Sequence, residues 1–128
     1  MSDFVLDNSA AIFISRGTGR IGHADRFFAP ELVDLEFANT LRKLILRERL
    51  DPALAAQYIE EWATNSLIRC PHAMLLPRIW DHRNNITPYD SAYVALAEVL
   101  RLPLVTADRR LAKASRAYCD VVEVGPQT

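Results

Sequence analysis

Four carboxylates spread over 128 residues are the side chains here whose types and positions could do chemistry: Asp7, Glu36, Asp90 and Asp108. Asp7 ends the apolar run Phe4-Val5-Leu6, and Asp108 ends Leu104-Val105-Thr106-Ala107, so each is delivered by a short strand into the start of a helix. Asp90 lies in the first turn of a helix signalled by Thr87 as N-cap and Pro88 at the first helical position. Glu36 shares a helical stripe with Asn39, Thr40, Lys43 and Arg47. In an open parallel sheet, ligands gather outside the carboxyl ends of the strands, near the point where strand order reverses. If the strands carrying Asp7 and Asp108 are neighbours, their carboxylates meet at one rim, and the turns bearing Asp90 and Glu36 open onto the same cleft. Like charges so gathered raise one another's pKa and oppose folding unless a cation joins them. Oxygen-only donors favour Mg²⁺ or Mn²⁺, an ion that activates water for in-line attack and stabilises the leaving oxygen. The chemistry such a cluster predicts is phosphodiester hydrolysis.

Each acid also has a purely structural account. Thr87 and Asp90 have the spacing of a capping box, Asp7 suits a helix cap, and Glu36 can pair loosely with Lys43 or Thr40. Asp34, two residues from Glu36 on one helix, points elsewhere. No His, Cys and carboxylate cluster has zinc spacing, and His82, at the end of a short helix, reads as a surface residue. The Gly17-Thr18-Gly19 fragment lacks the Gly-Lys-Ser/Thr of a phosphate loop, and the basic residues around it read as solvated surface.

The elements that must position the acids alternate along the chain. Strands are predicted at Phe4-Val5-Leu6, Phe27-Phe28-Ala29, Leu67-Ile68-Arg69-Cys70, Arg101 to Asp108 and Val121 to Val124. Helices are predicted from about Ser9 to Ile14, from Glu31 to Arg49, from Pro52 to Thr64, from Met74 to Arg83, from Pro88 to Leu100 and from Arg109 to Ser115. Ser15 to Arg26 reads as a loop. Core faces are expected at Leu35, Ala38, Leu41, Leu44 and Ile45; at Leu54, Tyr58, Ile59 and Trp62; and at Tyr89, Ala92, Tyr93, Leu96 and Leu100. The class is α/β, a three-layer α/β/α arrangement over a short parallel sheet of four to five strands with right-handed crossovers. Length and an ordinary composition fit one domain over residues 1–128.

A net charge near −1 provides no global field for nucleic acid, so any such role needs a local patch. Cys70 and Cys119, far apart, read as small buried hydrophobes in a reducing compartment. With no apolar N-terminal run after a basic start and no stretch of membrane-spanning length, a cytoplasmic protein without a membrane partner is expected.

Several stretches together carry a resemblance. Val5 to Ala10, Ala29 to Asn39, Arg78-Ile79-Trp80 followed by Thr87 to Ala97, and Leu104 to Leu111 resemble, in order and spacing, the PIN-domain ribonucleases, and more narrowly the VapC-type toxins of toxin–antitoxin systems. The resemblance implies that Asp7, Glu36, Asp90 and Asp108 form an acidic quartet binding Mg²⁺ or Mn²⁺, with the Ser9 and Thr106 hydroxyls beside the acids. It implies an endoribonuclease acting on RNA, often tRNA or ribosomal RNA. It also implies a small antitoxin partner that covers the cleft, and assembly as a homodimer or a toxin–antitoxin hetero-oligomer. Arg83 and Arg109 are the candidates for contact with RNA phosphate. The family usually places two helices between its first two strands, where this sequence is short. That departure leaves the quartet intact but bears on the antitoxin grip and the RNA-binding rim. It also motivates an alternative, a non-catalytic PIN-type module that binds RNA or a partner. A phosphate-transferring receiver or haloacid-dehalogenase-like protein fits poorly, because Ser9 stands where the latter has its second Asp.

Overall fold

A computed structural model describes residues 2–18 and 25–125. The elements run β1 (Asp3–Leu6), α1 (Asn8–Thr18), β2 (Arg26–Pro30), α2 (Val33–Leu46), α3 (Pro52–Ala63), β3 (Ile68–Cys70), α4 (Leu76–Asp81), α5 (Pro88–Leu100), β4 (Leu104–Thr106), α6 (Arg109–Ser115) and β5 (Val121–Glu123), with a 3₁₀ turn at Ala73–Leu75 before α4. The five strands form one parallel sheet in the order β3-β2-β1-β4-β5. The chain starts in the middle, adds β2 and β3 on one side, then crosses back to add β4 and β5 on the other. Right-handed crossovers therefore send the helices before and after that reversal to opposite faces, and the strand order switches between β1 and β4. Register pairs Val5 with Leu104 and Leu6 with Val105, which brings the next residues, Asp7 and Thr106, side by side. Among the described residues, no helix is long and apolar enough to cross a membrane.

α5 is the central helix. Seven consecutive residues, Ser91 to Ala97, are buried, as expected of a helix enclosed on all sides against β1, β2, β4 and α4. Its start follows from local chemistry. Thr87 is extended, its Oγ1 accepts from the Asp90 N–H at 3.3 Å, and Pro88 occupies the first turn. The cap is one-sided, since no hydrogen bond returns from the Asp90 carboxylate to Thr87 among the described residues. α2 packs on α3 by stacking Phe37 against Trp62 at 4.1 Å, while the Trp62 indole N–H donates to Asp34 Oδ1 at 2.7 Å. Asp34 also accepts from Arg69 at 3.0 Å, so it ties α2 to α3 and β3 and faces away from the other acids, as its helical spacing from Glu36 requires.

Several expectations from sequence need correction. The predicted loop from Ser15 is helical through Thr18, and its continuation to residue 24 lies outside the described residues. The α2 core face is the i, i+4 stripe Val33, Phe37 and Leu41, and Leu35, two residues from both Val33 and Phe37 and so roughly 160° around the helix from each, is 77% exposed. Tyr89 is 68% exposed and Leu100, Leu54 and Ile59 lie near the surface, since α3 and α5 bury their small residues Ala55, Ala92 and Ala95 against neighbours. Cys70 and Cys119 are only partly buried.

The largest correction is His82, which is 1% exposed. Its Nδ1 lies 2.7 Å from Ser91 Oγ, its Nε2 lies 2.8 Å from Glu98 Oε1, and its ring rests on Tyr118 at 4.2 Å. The imidazole is thus a polar bolt between the end of α4 and α5. His82→Ala removes both partners and leaves a cavity beside a carboxylate, so unfolding free energy should fall by about 2 to 4 kcal/mol. Urea denaturation followed by circular dichroism measures this, and an unchanged midpoint would refute the bolt.

Candidate functional site: an acidic cluster at the switch point

The switch between β1 and β4 is where Asp7 sits. Its backbone N–H continues the ladder to Val105 O at 3.1 Å, and its side chain turns into the start of α1, where Oδ1 accepts from the Ala10 N–H at 2.8 Å. Ser9 Oγ donates to the same carboxylate at 2.8 Å, and Thr106 Oγ1 donates to Oδ2 at 2.6 Å. Both hydroxyls also accept: Ser9 Oγ from the Ala107 N–H at 2.9 Å, and Thr106 Oγ1 from the Asp108 N–H at 3.1 Å. With donor and acceptor roles filled, the two hydroxyls hold the Asp7 carboxylate in one orientation and join the ends of β1 and β4. Asp108 in turn caps α6, its Oδ1 accepting from the Arg110 and Leu111 N–H groups at 2.9 and 3.2 Å.

Glu36 arrives from the first turn of α2 and accepts a short hydrogen bond from the Tyr93 hydroxyl of α5. Tyr93 stands three residues after Asp90, on the same side of that helix. Sequence reading assigned Tyr93 to the core alone. The i, i+3 spacing from an acid in the first turn was the available signal for its second role. Asp7 is buried, Glu36 and Asp90 are half-buried and Asp108 is exposed, so the cluster descends from solvent to the sheet edge.

The electrostatics link the four acids to one another. Burial, chiefly, pushes the Asp7 carboxyl up to about 6, against hydrogen bonds from Thr106, Ala10 and Ser9 that lower it and with Asp90 adding to the rise. Burial also raises Glu36, opposed by the Tyr93 hydrogen bond and reinforced by the charges of Asp90 and Asp7. Asp90 is raised by burial and then by Asp108. The Tyr93 phenol, buried and facing these acids, is pushed far above its ordinary range and is held as a donor. Among the described residues, no cationic side chain lowers Asp7, Glu36 or Asp90. An oxygen-only donor set under mutual repulsion suits a hard divalent cation. As the side chains stand, no three His, Cys, Asp or Glu among the described residues are close enough to enclose an ion by themselves, so water and substrate oxygens would complete any shell.

The two basic candidates lie on different elements. Arg83 follows α4, its guanidinium resting over the Trp80 ring 4.9 Å from the centroid, with Nη1 donating to the Trp80 carbonyl at 3.0 Å. Arg109 is the first residue of α6, exposed and adjacent to Asp108.

The raised pKa of Asp7 has a definite consequence for stability. A carboxyl whose folded pKa exceeds its unfolded value of 3.8 destabilises the fold when ionised, fully above about pH 6, and the cost fades as pH falls through 6 toward 3.8. In EDTA at pH 7.5, Asp7→Asn should therefore raise unfolding free energy by about 1 to 3 kcal/mol. Thermal melts at pH 7.5 and 4.0 check this. A variant that is less stable at pH 7.5, or whose gain persists at pH 4.0, would contradict it.

The family model described as the PIN domain matches residues 5–117. The chain is 40% identical over 123 residues to VapC ribonuclease Mb0985 of Mycobacterium bovis and to ribonuclease VapC9 of Mycobacterium tuberculosis, covering 94% of this chain and 97% of each relative. It is 36% identical to ribonuclease VapC1 of Mycobacterium tuberculosis, again over 94% and 97%. Among solved structures, that of PAE2754 from Pyrobaculum aerophilum shares the fold with a TM-score of 0.69 at 24% identity, over 93% of this chain and 90% of that one. With a family match across most of its length and relatives of the same extent, the chain belongs to the PIN-domain family, among its VapC proteins.

Proposed function

We propose that this protein is an Mg²⁺- or Mn²⁺-dependent endoribonuclease, the toxin of a type II toxin–antitoxin pair, which cuts RNA at the Asp7, Glu36, Asp90 and Asp108 cluster. The observation that carries the reading is that Asp7, Glu36 and Asp90 are all raised, by burial first and then by the charges of neighbouring acids, Asp108 acting on Asp90, while among the described residues no cationic side chain lowers any of the three. The names of the relatives, ribonucleases of the VapC type, support the substrate class. A small cognate antitoxin is the expected protein partner, with tRNA or ribosomal RNA as substrate, assembly as a homodimer or toxin–antitoxin hetero-oligomer, and action in the cytoplasm.

Each residue has a role that its own contacts support. Asp7, Glu36, Asp90 and Asp108 would hold the cation, which when bound lowers the pKa of water and offsets charge on the scissile phosphate. Ser9 and Thr106 fix the Asp7 carboxylate by donating to it, so their hydroxyl protons stay on that side of the cluster. Tyr93 orients Glu36 in the same way. Asp108, exposed on the rim and held by two backbone N–H groups, keeps its position while substrate approaches. Among the described residues, the hydroxyls nearest the acids, Ser9 and Thr106, are committed to Asp7, so the attacking group in this reading is a water molecule.

RNA cleavage by the purified protein should require Mg²⁺ or Mn²⁺ and stop with EDTA. Asp90→Asn and Asp108→Asn should each lower the rate by roughly 100-fold or more, and Ser9→Ala or Thr106→Val by roughly 10- to 100-fold, with the fold retained. A gel assay on total RNA reads the products. Cleavage that survives chelation, or that Asp90→Asn leaves unchanged, would overturn the mechanism. Binding of RNA with no product in either metal would favour the non-catalytic alternative.

A further inference from the structure

We propose that Trp80 and Arg83 form a stacking subsite for an unpaired base of the RNA, beside the carboxylate cluster; this rests on the reading above that RNA is the substrate. The chain has two tryptophans. Trp62 is 6% exposed, stacked on Phe37 and hydrogen-bonded to Asp34, a packing residue. Trp80 is 63% exposed, and the Arg83 guanidinium lies over its ring, 4.9 Å from the centroid. That guanidinium is tied to the Trp80 backbone carbonyl at 3.0 Å, so cation and indole are held as one unit.

The unit adjoins residues that are fixed to α5, the helix that carries Asp90. Ile79 O and His82 Nδ1 lie 3.5 and 2.7 Å from Ser91 Oγ, on the turn of α5 that carries Asp90, and the exposed Tyr89 precedes that acid. Trp80 and Arg83 flank Ile79 and His82 in sequence, and residues 84–87 lead directly from them into the cap of α5. The bolt that locks α4 to α5 therefore also sets where the indole stands relative to Asp90.

The chemistry of the pair fits a nucleotide. A flat π surface stacks any unpaired base, and a guanidinium adds both a stacking plane and donors for phosphate oxygens. With a net charge near −1, the chain has no global attraction for RNA, and the repelling acids of the cluster increase the need for a local anchor. A protein partner on this spot would have to desolvate the exposed Arg83 guanidinium, a cost that an RNA strand, itself charged and wet, avoids.

The test uses the full chain in EDTA, so that binding is read without cutting. A single-stranded oligoribonucleotide of mixed sequence is titrated while tryptophan emission and the anisotropy of a labelled RNA are followed. Trp62 is shielded, so quenching on binding reports Trp80, and a duplex of the same composition should quench less. Trp80→Ala should weaken single-stranded binding roughly 10-fold and Trp80→Phe less than roughly 3-fold, since a smaller ring still stacks. In Mg²⁺, Trp80→Ala should raise KM and leave kcat near its parent value. RNA that binds without quenching Trp80, or equally well to Trp80→Ala, overturns the subsite. So does a Trp80→Ala chain whose sedimentation shows a smaller assembly at unchanged RNA affinity, which would assign the indole to a protein interface. Binding and quenching without cleavage in Mg²⁺ or Mn²⁺ would remove the endoribonuclease reading and leave the subsite standing. Cleavage indifferent to Trp80 would remove the subsite alone, and RNA that neither binds in EDTA nor is cut in Mg²⁺ or Mn²⁺ removes both.

Discussion

The hydrogen-bonded burial of Asp7 between β1 and β4 is the interaction on which the rest of this molecule depends. A carboxylate withdrawn from water loses several kcal/mol of hydration, and each hydrogen bond to a charged group returns about 1.5 to 3 kcal/mol. Asp7 collects such bonds from Ser9, Thr106 and the Ala10 N–H, yet its pKa still rises to about 6, so burial outweighs them. The same three contacts join the first residue after β1, the start of α1 and the last residue of β4. The strand order that makes β1 and β4 neighbours is thus inseparable from the position of the charge.

Helix ends supply the rest of the placement. Asp7 and Asp108 cap α1 and α6, Asp90 lies in the first turn of α5 and Glu36 in that of α2. Four positive helix ends therefore face one patch, each favouring a nearby carboxylate by about 0.3 to 1 kcal/mol. This is enough to orient the acids and too little to neutralise them, since Asp90 and Glu36 remain raised. Capping and ligation are therefore compatible uses of one side chain. The Thr87 cap fixes the turn through the Asp90 N–H and leaves the Asp90 carboxylate to the cluster.

What the sequence revealed and what it hid follow from the range of the interactions. Strands ending in Asp7 and Asp108, and the cap at Thr87, are local signals, and the elements they imply are present. The class and the parallel sheet follow from alternation alone. The burial of His82 was invisible, because its partners lie nine and sixteen residues away on α5, and a histidine at a helix end looks the same whether wet or enclosed. Leu35 and Tyr89 were assigned to the core on periodicity, which marks an apolar stripe but does not say which of two neighbouring stripes on a helix the sheet will cover. The Tyr93 bond to Glu36 links residues 57 apart, a contact that only the finished fold creates.

Trp80 and His82 illustrate how one short element divides its work. α4 has six residues, too few to hold its own shape in water, so its geometry must come from packing. His82 and Ile79 supply that packing by locking onto Ser91, which frees the outward side of the element to carry an indole that a self-supporting helix could have buried. The cluster faces a parallel constraint: it must gather charge that the protein cannot neutralise, so its elements must be stiff enough to hold repelling groups in place. A buried polar bolt beside an unsatisfied acidic patch resolves both demands. The stability lost in crowding the carboxylates is offset by the contacts that Ser91, the residue after Asp90, makes with His82 and Ile79.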